Sequence, residues 1–170
     1  MFGYGSLVWR PAFPFVEQAR GHVRGYVRRF WQGSLDHRGT PERPGRVVTL
    51  SAEAGALCHG MAFRVATPDR DAVLRNLDER ESGGFGRVQV PFHGGDTADP
   101  IEVLVYIAAE SNPNFLGPAP IDEMVEQMRA AQGKSGRNID YVLRLAECLD
   151  SLAIDDPHVS EIARRLRAPE

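Results

Sequence analysis

Cysteine is scarce in this chain: of 170 residues only Cys58 and Cys148 are cysteines, far apart and each within an apolar pattern. They make no disulfide framework and are read as buried free thiols. Long apolar runs are missing as well. No stretch approaches the roughly 20 residues that span a bilayer, and the first residues lack a basic segment leading into an apolar one with a small-residue cleavage site. A cytoplasmic protein without a membrane partner is expected. The five histidines, His22, His37, His59, His93 and His158, show neither an HExxH pair nor Cys/His ligand spacing, so no metal site is predicted. Neither sign of charge dominates. The net charge is −3 and the arginines alternate with acids instead of forming basic blocks, which argues against nucleic acid or an anionic surface as partner.

What is present is the composition of an ordinary globular protein, 42% apolar and 25% charged. The length predicts one domain, residues 1–170, large enough to bury a full core. The first two thirds read as strands. "GRVVTL" and "ALCHGMAFRV" around the turn-like "SAEAG" predict a hairpin over residues 46–65. "GRVQVPF" and "IEVLVYIAA" around "HGGDTADP" predict a second over 86–109, and "GHVRGYVRRFW" supplies a further strand over 21–31.

The last third changes period. Ile121, Met124, Val125 and Met128 fall at helical spacing, with acids in the first turn and Gly133 as the stop. Asn138 is read as the cap of a helix whose apolar face is Ile139, Val142, Leu143, Ala146 and Leu149. Asp156 caps a third, with Pro157 first and Ile162 and Leu166 inward. Strands followed by helices predict an α+β fold with a largely antiparallel sheet or barrel.

Two stretches carry chemistry. "FGYGSLVW", residues 2–9, breaks an apolar strand with two glycines, which marks a bulge or a place where a backbone or ligand comes close. It has neither the GxGxxG nor the GxxxxGK[ST] spacing of a phosphate loop, and Ser6 is not in a GxSxG elbow. "TPDRDAVLRNLDERESGGF", residues 67–85, predicts a helix capped by Thr67, started by Pro68, striped by Val73, Leu74 and Leu77 and stopped by Gly83-Gly84. At about 100° per residue Glu81 lies roughly 20° from Leu74, on the apolar side, whereas Asp78 sits at the edge and Glu79 opposite, both solvated. Desolvation raises a carboxylate's pKa toward the range useful for proton transfer. The alternatives are an ion pair of Glu81 with Arg80 or Arg87, or a helix that frays before it. Ser34, Asp36 and His37, crowded on one loop, are read as a polar turn and not a triad.

Five ordered blocks, "FGYGSLVW", "RRFWQGSLDHRGTPERPGRVVTL", "LDERESGGF", "NPNFLGPAP" and "SGRNIDYV", closely resemble the ChaC-type glutathione-specific γ-glutamylcyclotransferases over almost the whole chain. The resemblance implies a small β-barrel with packed helices, a carbon–nitrogen lyase that cleaves glutathione to 5-oxoproline and cysteinylglycine, and no cofactor. It implies a substrate-holding segment at Gly3, Tyr4, Gly5, Ser6, Leu7 and Val8, and Glu81 as the acid/base. Phe85 stands where the family usually has tyrosine, and Ser82 where lysine is common. Tyr141, off the apolar stripe of its helix, is a candidate substrate contact or a tyrosine snorkelling to solvent. Arg137 and Asn138 are candidates to hold a substrate carboxylate or to cap that helix.

Overall fold

The computed structural model describes residues 1–95 and 99–168. They form two compact units, Met1–Val27 with Leu50–Ala109, and Arg28–Thr49 with the chain from Glu110 onward. The elements are β1 (Phe2–Gly3), β2 (Glu17–Ser34), β3 (Gly45–Arg64), α1 (Arg70–Arg80), β4 (Phe85–Gly94), β5 (Ile101–Ala108), α2 (Ile121–Ala130), β6 (Gln132–Gly133), β7 (Gly136–Arg137), α3 (Asn138–Ser151) and α4 (Pro157–Arg167). The fold is α+β, as the order of strands and helices predicts. No described helix is long and apolar enough to cross a membrane.

In the first unit the strands run in the order β1-β3-β2-β4-β5, with antiparallel pairing of Phe2 to Ala62, His22 to His93, and Phe85 to Ala108. The predicted 86–109 hairpin is β4 and β5; part of its connecting loop, residues 96–98, lies outside the described residues. Alternation sets its faces: Val90 and Phe92 are buried while Gln89 and Pro91 are exposed. The predicted 46–65 hairpin is instead one continuous strand, β3. Its turn signal rests on Gly55, whose φ of +79° a glycine adopts without strain, so a local twist is absorbed inside the strand.

The 67–85 helix is shorter than predicted. Thr67–Asp69 forms a 3₁₀ turn capped by Ala66, with Pro68 in it, and α1 ends at Arg80. Val73 and Leu77 are buried and join Leu7 and Tyr106 in one apolar cluster, against which Phe13, Val65 and Phe85 pack.

The second unit holds α2, α3 and α4 together with the end of β2 and the start of β3, tied by buried polar groups. α2 buries Met124 and Met128, α3 buries Val142, Leu145 and Leu149, and α4 buries Ile162 and Leu166. Asp156 caps α4 through Val159 N–H at 3.1 Å, as predicted, and also accepts from the buried Arg28 at 2.5 Å. Arg46 donates to Gln127 (2.7 Å) and to the Phe30 and Gly117 carbonyls (2.9 and 3.1 Å). α2 ends before Gly133, which pairs with Gly136 in the short β6–β7 hairpin.

Asn138 does not cap α3, and Arg137 takes the capping position without a side-chain bond. Asn138 is fully buried, accepting from Arg46 N–H at 2.7 Å and donating to Arg46 C=O at 2.8 Å, as a neighbouring strand would. Burial also removes it as a carboxylate ligand. Because Asn138→Ala strands two buried backbone groups, it should cost about 3 kcal/mol in urea unfolding.

His158 accepts from Phe30 N–H at 3.2 Å, and burial, aided by Arg29, pushes its imidazole down to about 4 from 6.5. The unfolded chain therefore binds a proton near pH 6.5 that the folded chain refuses until about pH 4. Stability should fall as pH drops through that window, and the urea midpoint should fall less in His158→Asn.

Candidate active site

The glycine-rich segment leaves β1 and winds into a 3₁₀ turn, Ser6–Val8. Its bonds run from Val8 N–H to Gly5 C=O (3.0 Å) and from Arg10 N–H to Ser6 C=O (2.9 Å). Val8 is the first internal donor, so the Ser6 and Leu7 amides open the turn with no acceptor inside it. A Cβ on Gly3 would lie 2.7 Å from Leu7 Cβ, so Gly3 lets the chain fold back over its own side chain. Tyr4 is buried, and its hydroxyl donates to Tyr106 C=O on β5 at 2.7 Å, joining the two edge strands of the sheet. Leu7 packs on Val73 and Leu77 of α1, while Ser6 and Val8 are half-buried.

That packing brings the turn to the end of α1, where Glu81 follows as the residue closing the helix. Its N–H still reaches Leu77 C=O (2.8 Å), and its own carbonyl accepts from Phe85 N–H (3.2 Å). The helical angle therefore holds one residue past the last turn, and the side chain is 18% exposed.

Asp78 is not simply solvated, as its position predicts. It accepts from the Tyr106 hydroxyl and from Arg87 Nε, both at 2.7 Å, and pairs with Arg87 through its second oxygen. The Arg87 bond, with that of Tyr106, holds the Asp78 carboxyl below the usual range, and burial chiefly pushes the Tyr106 phenol up to about 12. The last turn of α1 is thereby fastened to β4 and β5. Arg87 serves Asp78, which leaves Arg80 as the partner of Glu81 at 3.4 Å.

Burial raises the Glu81 pKa and the Arg80 cation partly opposes it. Arg80 also donates to Ser6 Oγ (2.5 Å) and to Arg10 C=O (3.3 Å). The ion pair weighed for Glu81 is thus present, but at a length beyond an ordinary charge-assisted hydrogen bond. A carboxylate so placed can take a proton from an ammonium and return it to a leaving amine.

Six of the predicted site residues, Gly3 to Val8, and Glu81 thus belong to the first unit. Tyr141 belongs to the second. It is buried and not snorkelling: its oxygen accepts from Val48 N–H at 3.4 Å, its ring meets Phe30 edge-on, and the Arg38 guanidinium lies 5.6 Å from its centroid. Ser34 accepts from Arg38 N–H, Asp36 pairs with Lys134, and His37 meets Ser135 and, at 4.0 Å, Asp36, so the three form a polar turn. Among the described residues no group of three or more His, Cys, Asp or Glu is arranged to hold a metal ion. The sequence reading missed the link from Arg80 to Ser6 and the role of Tyr106, since the partners lie 74 and 28 residues apart.

A protein of Danio rerio named glutathione-specific gamma-glutamylcyclotransferase 1 is 44% identical to the chain, over 99% of it and 88% of the relative. Gamma-glutamylcyclotransferase 2-3 of Arabidopsis thaliana is 42% identical, over 98% and 87%. A crystal structure of a yeast gamma-glutamylcyclotransferase specific to glutathione superposes with a TM-score of 0.88 at 24% identity, covering 97% of this chain and 93% of that one, and shows a shared fold. The model of the ChaC-like proteins matches residues 1–168, and the chain belongs to that family.

Proposed function

We propose that the protein cleaves glutathione by intramolecular aminolysis to 5-oxo-L-proline and L-cysteinylglycine, with Glu81 as general acid/base. The observation that carries this is the desolvated Glu81 carboxylate, brought beside a turn whose Ser6 and Leu7 amides have no acceptor inside it by the packing of Leu7 on α1. The name of the relative at 44% identity supports glutathione as substrate, and that of the relative at 42% supports cyclotransfer of a γ-glutamyl group. Residues 1–168, matched as a whole by the family model, are taken to act as one domain. The unlinked Cys58 and Cys148 suit a cytoplasmic location.

The α-ammonium of the γ-glutamyl group gives a proton to Glu81, and the freed amine attacks the γ-carbonyl of the same residue. A new C–N bond closes the five-membered ring, the bond to cysteinylglycine breaks as Glu81 returns the first proton to the departing nitrogen, and the second proton of the ring nitrogen passes to that amine, which leaves as an ammonium. No water is consumed. Nucleophile and electrophile share one molecule, so holding the chain folded back supplies much of the rate advantage. The oxygen that gains charge needs donors, and we assign that role to the Ser6 and Leu7 amides, which have no acceptor inside the turn. Gly3, Tyr4 and Gly5, which lead into that turn, complete the substrate-holding segment.

Purified protein given reduced glutathione should release both products, and Glu81→Gln should lower kcat by roughly 10²- to 10⁴-fold while still binding the tripeptide. Equal turnover in Glu81→Gln would remove the assignment, and equal cleavage of γ-glutamylalanine would widen the substrate to γ-glutamyl amines generally. Binding without turnover by a folded wild type would make the chain a binding module. Because Glu81 works as the carboxylate and burial raises its pKa, kcat/KM should rise with pH through an acidic limb displaced above the ordinary glutamate range. Glu81→Gln should lack that limb.

A further inference from the structure

Arg80 stands next to the acid/base but is engaged well beyond it. Its three guanidinium nitrogens each meet a different part of the site: Nη2 donates to Ser6 Oγ at 2.5 Å, Nη1 to Arg10 C=O at 3.3 Å, and Nε faces Glu81 Oε1 at 3.4 Å. A basic residue in the last turn of a helix also complements the helix dipole, and that alone would be a structural role. The dipole, however, asks for charge and not for a planar fork. Three acceptors around one fork ask for arginine, since an ammonium is a point charge with no fixed spread. We propose that Arg80 is a positioning residue that locks the Ser6–Val8 turn to the Glu81 carboxylate through a single guanidinium.

The long Nε contact leaves Glu81 oxygen lone pairs free to meet a substrate ammonium, while the two Nη bonds fix the turn. The same cation opposes the burial of Glu81, and among the described residues it is the charge that acts on that carboxylate. Asp78, Arg87 and Tyr106, from α1, β4 and β5, bond to one another, and Glu79 is exposed. Ser6 and the Arg10 carbonyl, from the turn side, carry no charge. Arg80 therefore acts twice, on geometry through its fork and on the protonation of Glu81 through its charge.

The proposal rests on Glu81 being the acid/base, and the experiment separates the two. The kcat and kcat/KM for glutathione would be measured against pH in Arg80→Met, Arg80→Lys, Ser6→Ala and Arg80→Met/Ser6→Ala, together with the carboxyl-carbon NMR titration of Glu81, assigned by its loss in Glu81→Gln. Arg80→Met should move the Glu81 midpoint and the acidic limb to higher pH and lower plateau kcat roughly 10- to 100-fold. Arg80→Lys should restore the midpoint but not the plateau. Ser6→Ala should lower kcat with the midpoint unmoved, and the double variant should be no slower than Arg80→Met. A midpoint unmoved in Arg80→Met, a full plateau in Arg80→Lys, or losses that multiply in the double variant would each overturn the proposal. Wild type that leaves glutathione intact would overturn the proposed reaction, while the Glu81 titration still decides on Arg80.

Discussion

The packing of Leu7 on Val73 and Leu77 fixes how close the Ser6–Val8 turn can come to the end of α1, and the candidate site depends on that contact. Without it the turn would be a loop at a sheet edge and Glu81 a capping residue. The neighbouring parts reinforce it. Gly3 has no Cβ, so Leu7 folds back over β1, and Tyr4 pins the start of the turn to β5 through the Tyr106 carbonyl. From the other side Asp78, Arg87 and Tyr106 hold the last turn of α1 to the strands, so the residue after it leaves in a set direction.

The electrostatics follow from the same placement. A carboxylate mostly withdrawn from water is costly to ionise, whereas one fully paired with arginine would stay ionised and bind protons poorly. Glu81 lies between these limits: burial pushes its pKa up, and a guanidinium at 3.4 Å pulls against it. Asp78, three residues earlier, shows the contrast. It is more exposed and bonded to Arg87 and Tyr106, and its pKa falls. Two carboxylates on one helix end are thus separated into a structural anchor and a proton carrier by their burial and their partners.

Much of this was legible in the residues. Helical spacing put Glu81 on the Leu74 side, alternation gave the β4–β5 hairpin, and Asp156 with Pro157 marked the start of α4. The losses have physical causes. "SAEAG" reads as a turn, but one glycine at positive φ is absorbed inside a long strand. Asn138 has the chemistry of a cap, yet its amide serves the backbone of Arg46, 92 residues away, and side-chain chemistry does not encode such a partner. Arg80 was visible as a neighbour of Glu81, whereas its bond to Ser6 arises only from the folded chain. Tyr141, placed off the apolar stripe by spacing, is buried against the Phe30 ring with its hydroxyl at the Val48 amide.

The central claim is that the γ-glutamyl amine, activated by Glu81, attacks its own carbonyl. It is tested most directly by running the reaction with glutathione in oxygen-18 water and weighing the products. Aminolysis predicts cysteinylglycine and an equal amount of unlabelled 5-oxoproline. Glutamate carrying the heavy oxygen would mean that water is the nucleophile, and would contradict the account.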